Sequence, residues 1–134
     1  TGVSVGYQSH GRVAKSGSSE AYAAGELKHG TISLIDDDTL VIALATQDKL
    51  FDKTVSNIRE VKSRGAKILS VTSENNAEKI SQISDDVLYV PNSCEITAPS
   101  LTVVPLQLLS YHIAKLRGCD IDKPRNLAKS VTVE

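Results

Sequence analysis

An α/β fold with a mainly parallel sheet is what this sequence predicts, and two observations carry the prediction. Thr39–Ala45 (TLVIALA) is an apolar run without polar alternation, as expected of a strand buried on both faces of a parallel sheet. From there to Arg117, strand-like and helix-like segments alternate, which is the rhythm of right-handed crossovers between parallel strands. A chain of 134 residues is long enough for one such domain to bury its own core.

Taken in order, the elements begin with Thr1–Tyr7 (TGVSVGY), where Val3 and Val5 alternate with small residues and suggest a short additional strand. Gln8–Ser19 (QSHGRVAKSGSS) is Gly/Ser-rich, polar and without either period, so it is expected to be a linker or divergent loop. Glu20–His29 is rich in helix formers, with Ser18 or Ser19 as N-cap and Gly30 as stop, and a helix is predicted there. Asp36–Asp38 makes a polar turn before the first secure strand. Gln47–Arg64 predicts an amphipathic helix with Leu50, Phe51, Val55, Ile58 and Val61 on one stripe, ended by Gly65. A second strand is predicted at Lys67–Thr72, a helix from about Asn76 to Ile83, and a third strand at Val87–Val90, stopped by Pro91. The last large element is an apolar helix from Pro99 to Arg117, with Pro105 as a kink or break and Gly118 as its close. Three secure strands make a thin sheet, so a strand or helix is expected to be lacking at the front and a partner to supply cover as well.

Composition narrows the function classes. Hydrophobic residues make up 40% and charged residues 23%, with a formal net charge of −1, which offers no electrostatic footprint for nucleic acid or a membrane surface. Aromatic residues are 4% with no tryptophan, so a base-stacking platform is not expected. No apolar run reaches the ~18 residues of a membrane span. Cys94 and Cys119 lack metal-ligand spacing and are expected to be reduced thiols of a cytoplasmic protein, with no metal and no cofactor.

There is no complete Gly-rich phosphate motif. Ser16–Ser19 (SGSS) before a helix could cup a phosphate, but the same composition is that of a flexible linker, which is the favoured reading.

Two stretches, Glu20–Thr31 (EAYAAGELKHGT) and Lys123–Glu134 (KPRNLAKSVTVE), supported by Val104–Ile113 (VPLQLLSYHI), resemble the isomerase half of the glutamine–fructose-6-phosphate amidotransferase family, the glucosamine-6-phosphate synthases. The resemblance runs from residue 20 to 134, leaving 1–19 unmatched. It implies the second of two sugar isomerase (SIS) domains, each a flavodoxin-like three-layer α/β/α unit. It further implies a cytoplasmic homodimer working on fructose 6-phosphate to give glucosamine 6-phosphate, with a first SIS domain and a glutaminase domain as companions in the whole enzyme.

Site residues follow from the same resemblance. Lys129 matches the family lysine that forms a Schiff base with the ketose C2 carbonyl, a role that needs a partly neutral amine. Taken without the motif, a lysine so near a chain end would be a solvated surface group. His29 matches the histidine implicated in opening the sugar ring and reaching the neighbouring subunit's site; taken alone it is a helix-end cation favourable to the dipole. Ala128 and Arg125 are the expected substrate-contacting residues of the tail, Arg125 through a bidentate pair or else as a solvated cation. Glu20 and Glu26 are read as structural, His112 as a packing residue, and His10 receives no role. The family's general-base glutamate lies just upstream of the first motif, and Gly6–Ser19 offers none, so the isolated chain is expected to turn over little or no fructose 6-phosphate.

Two further readings belong to other classes. One is a non-catalytic sugar-phosphate-binding module on the same fold. The other is a receiver-like domain with Asp36–Asp38 binding Mg²⁺, ranked last because those acids precede the first strand, away from the carboxyl-end crevice.

Overall fold

The computed structural model describes residues 3–8, 18–23 and 31–122. It divides into two compact units, Thr1–Thr102 and Val103–Glu134. The first is built on a five-stranded sheet in the order β2-β1-β3-β4-β5, with β1 Val3–Gln8, β2 Ser18–Ala23, β3 Thr39–Ala45, β4 Lys67–Ser73 and β5 Asp86–Val90.

The predicted parallel trio is present. β3 pairs with β4 in parallel register from Leu40↔Lys67 to Ala45↔Thr72, and β4 with β5 from Leu69↔Asp86 to Ser73↔Val90. The unalternated sequence of β3 is explained by its burial: Val41, Ala43 and Ala45 face one side and Ile42 the other, and all four are buried. Val71, with no exposed surface, does the same for β4 on the Ile42 side.

At the front of the sheet the expectation needs correcting. Residues 18–23 form a strand rather than the start of a helix, and β1 and β2 both run antiparallel to their neighbours: Val3↔Ala23 to Gln8↔Ser18, and Ser4↔Ala43 to Gln8↔Thr39. The front is therefore filled, and the sheet is mixed, with only β3–β5 parallel. Helix propensity differences among Ala, Glu and Tyr are fractions of a kcal/mol per residue, and backbone pairing along a whole strand outweighs them. Residues 24–30, the rest of the predicted helix, lie outside the described residues.

Three helices complete the described structure: α1 Phe51–Lys62, α2 Ala77–Ser81 and α3 Ala98–Leu116. From the predicted stripe of α1, Phe51, Ile58 and Val61 are buried, and with Ile80 of α2 they close over Val41, Ala43, Ala45 and Ile68 as one core. Each such aliphatic or aromatic side chain removed from water contributes about 1.5–3 kcal/mol before conformational entropy is subtracted. Gly65 ends the α1 segment as expected, at φ +96°, a left-handed conformation that suits glycine. The helix predicted to Ile83 stops earlier, because Ile83 and Ser84 N–H both return to the Ile80 carbonyl and turn the chain into β5. Inside, Ser70 and Ser84 hydroxyls pair at 2.6 Å, which satisfies two buried polar groups together.

The second unit begins within α3. Pro105 lies inside the helix without ending it; it only lacks the N–H that would complete one rung to Leu101. Gly118 at φ +66° and the Cys119 N–H to Ala114 carbonyl bond, 2.9 Å, close the helix. His112 is exposed, edge-on to the Tyr111 ring at 5.3 Å, so it is not the packing residue that its spacing suggested.

Candidate functional site

Because β3, β4 and β5 are parallel, their carboxyl ends deliver three loops to the same edge of the sheet, where ligands bind in open α/β folds. Those loops are tied together by side chains. Asn76 Nδ2 donates to Asp48 Oδ1 at 2.9 Å and to Ser73 Oγ at 3.3 Å, joining the loops after β3 and β4. Asn75 N–H donates to Asn92 Oδ1 at 3.3 Å and Asn92 Nδ2 returns to Asn75 Oδ1 at 3.0 Å, joining the loops after β4 and β5. Lys49 and Glu95 close the remaining side with an ion pair at 2.9 Å. Beneath them, Thr72 Oγ1 donates to the Ala45 carbonyl at 3.0 Å, and Thr102 Oγ1 donates to the Ala98 carbonyl at 2.7 Å.

This edge is acidic. Asp48, Glu74 and Glu95 lie on its loops, while Lys49 is engaged by Glu95. Its polar groups bond one another, so the described loops form a clasp and not a phosphate cradle. Cys94 sits exposed in the last loop with its Sγ 3.2 Å from the Thr97 hydroxyl. That hydroxyl first, then the Thr97 and Ile96 N–H groups, hold the thiol below the ordinary cysteine range.

The opposite edge is structural. Asp85 Oδ2 accepts the Ile68 N–H at 2.8 Å and Oδ1 accepts Lys62 Nζ at 3.1 Å. The Ile68 N–H is the main reason its carboxyl lies below the ordinary value; burial works against this, and Lys62 reinforces it. The Asp36–Asp38 turn is here too, as its sequence position required. Asp36 Oδ1 accepts from Thr39 Oγ1 at 2.7 Å and Asp38 N–H at 3.2 Å, and these bonds shape a turn. Among the described residues no group of three or more His, Cys, Asp or Glu side chains converges to hold a metal, and no helix is long and apolar enough to cross a membrane.

The residues predicted to act on substrate, Lys129, His29, Ala128 and Arg125, all lie outside the described residues, as do Glu26 and His10. Glu20 falls on β2. The clasp residues Asp48, Asn75, Asn76, Asn92 and Glu95 were not singled out from sequence; the available signal was that polar residues gather directly after each strand.

Residues 14–117 match the family model described as the SIS domain. The chain belongs to that family. Its match starts within the segment expected to be unmatched, and β1 lies before it. The chain is 57% identical over 116 residues to a glutamine–fructose-6-phosphate aminotransferase (isomerizing) of Caldanaerobacter subterraneus, 87% of this chain and 19% of that protein. It is 58% identical over the same span and shares to the enzyme of that name in Clostridium tetani. The structure is similar to the C-terminal domain of glucosamine-fructose-6-phosphate aminotransferase from Francisella tularensis, with a TM-score of 0.70 and 39% identity, covering 75% of this chain and 28% of that one. This SIS chain is thus homologous to the C-terminal isomerase domain of that aminotransferase and spans about a fifth of the curated relatives' length.

Proposed function

We propose that this SIS chain acts as the C-terminal part of a cytoplasmic enzyme converting fructose 6-phosphate and glutamine to glucosamine 6-phosphate and glutamate. The observation that carries the reading is the 57% identity over 116 residues to an aminotransferase named for that chemistry. Residues 20–134 serve as the domain and its tail. In that tail the Lys129 amine attacks the ketose C2 carbonyl, the carbonyl oxygen leaves as water, and ammonia then displaces the lysine from the imine carbon; the protonated imine draws electrons from the C1–H bond, so that a base can take that proton and return it at C2. His29, placed by the EAYAAGELKHGT motif, exchanges the ring-oxygen proton that opens the sugar, acting in the neighbouring subunit's site of a homodimer. Arg125 pairs with the sugar phosphate and Ala128 packs beside the sugar. A first SIS domain supplies the phosphate site and a glutaminase domain the ammonia, and the chain alone, with no general-base glutamate upstream of the EAYAAGELKHGT motif, turns over little or no fructose 6-phosphate.

The test uses this chain joined to the remaining domains of the Caldanaerobacter relative, incubated with fructose 6-phosphate and sodium borohydride. Peptide mass analysis is expected to find the reduced sugar adduct on Lys129, and Lys129→Ala to lack it. An adduct on another lysine, or amino sugar formed at an unchanged rate by Lys129→Ala, would overturn the reading.

A further inference from the structure

The two sides of the parallel trio are guarded unequally. β5, its last strand, has only five residues, opens on Asp86 behind Asp85 and runs into Pro91, features that discourage another strand from pairing there. β3 has none of them. Its seven residues, Thr39–Ala45, carry no charge and no proline; five are buried, and Leu40 and Leu44 are half-buried. One side of its backbone is taken by β4 in parallel register. Left open, the other side would hold a row of N–H and C=O groups among apolar side chains that keep water away, and such groups need partners.

What fills that side is β1, antiparallel, from Ser4↔Ala43 to Gln8↔Thr39. β1 differs from the other four strands in lying before the SIS match, which covers residues 14–117. β2 lies inside the match but reaches β3 only through β1. The strands that the family model spans therefore leave the open side of β3 without a partner, and its cover comes from a segment outside them. We propose that the open side of β3 is a strand-acceptor site whose ligand is an extended segment with the sequence of residues 3–8, supplied in cis by this chain and accepted as well from a separate peptide. Main-chain hydrogen bonds along the ladder supply the affinity, and the antiparallel register sets the direction of the bound segment. The acceptor works whether or not Lys129 acts on a sugar.

The experiment places prolines at two adjacent positions of β1 in the full chain, Val5→Pro together with Gly6→Pro. Adjacent residues of a strand turn their backbone groups to opposite sides, so the pair removes rungs toward both β2 and β3. Amide hydrogen exchange over Thr39–Ala45 is expected to quicken by about tenfold or more, while that over Lys67–Ser73 stays within about twofold of the parent. An excess of a peptide of residues 1–10 (TGVSVGYQSH) is expected to return the β3 amides to the parent rate, and the same peptide carrying both prolines to leave them fast. Where the double variant does not fold, the two peptides are added during refolding, and only the unaltered one is expected to restore the parent's protection. Unchanged exchange of β3 in the variant overturns the proposal, as do failure of the unaltered peptide to restore protection and equal restoration by both peptides. A variant that sediments as a dimer with β3 protected and no peptide present also overturns it, because β3 would then take a second copy of itself in place of residues 3–8.

Discussion

The two edges of the parallel strands are held by different balances of bond. At the amino edge, bonds from side chain to backbone stand out: Asp85 takes the Ile68 N–H beside its pair with Lys62, Asp36 takes the Asp38 N–H beside the O–H of Thr39, and Asp37 fills the space that a side chain at Gly65 would need. At the carboxyl edge, pairs of exposed side chains predominate: Asn76 to Asp48, Asn92 to Asn75, Lys49 to Glu95, with the Asn75 N–H also donating to Asn92 Oδ1. Backbone-directed bonds admit few replacements, because the group they satisfy is present whatever the sequence. Pairs of exposed side chains can be exchanged for water at little cost. The amino edge is thus fixed by the fold, whereas the carboxyl edge is the one whose chemistry can be altered without unfolding the domain.

The sharpest test of that contrast is Gly65→Val. A Cβ at Gly65 would run into the Asp37 carboxylate, and the left-handed φ is one a β-branched residue resists. Destabilisation of about 2–3 kcal/mol is expected in urea unfolding. A loss below about 0.5 kcal/mol would show that this edge is as permissive as the other.

Asp85→Ala comes next. It leaves the Ile68 N–H without its acceptor and Lys62 without its acid. The Asp85 side chain is 45% exposed, so solvent screening reduces the loss to about 1 kcal/mol. The pH dependence has a definite sign. The folded carboxyl lies below its ordinary value of 3.8, so its stabilisation is in full force above that value and is lost as pH falls through the folded value. Acid unfolding of Asp85→Asn is therefore expected to lack part of the fall in stability that the parent shows below about pH 4. Parallel acid profiles would remove Asp85 as the cause.

The contrast also marks how much could be read from sequence. β3 was legible because seven residues without alternation leave few options other than a strand covered on both faces, and Gly65 was legible as a stop because its neighbours fill an amphipathic period. β2 was not, because Ser18–Ala23 favours helix locally and becomes a strand only through the partner that β1 provides. The clasp was not legible either: Asn75 and Asn92 are ordinary loop residues, and nothing local states that they meet across 17 positions. Lys129 and His29 were found in the opposite way, from motif resemblance and without geometry, so the substrate-facing half of the reading depends on EAYAAGELKHGT and KPRNLAKSVTVE, and the scaffold half on periodicity and packing.

The smallest effect is expected at the Lys49–Glu95 pair, and it is also the one that tests the carboxyl edge most directly. Their side chains are 80% and 65% exposed, so two long side chains lose rotamer freedom for a Coulomb attraction that water largely screens. Lys49→Ala and Glu95→Ala should each change stability by under about 0.5 kcal/mol, and a double-mutant cycle should return a coupling of the same small size that shrinks further in salt. The physical reason this matters is that Glu95 lies in the loop that leads from β5 into α3. If the pair were worth several-fold more, the clasp would be part of the fold's own stability, and the carboxyl edge could no longer change its chemistry independently of the core. A coupling near zero means instead that the three loops are positioned chiefly by the strands and by the buried Thr72 and Thr102 bonds beneath them, with the exposed pairs only settling into the spaces those bonds leave.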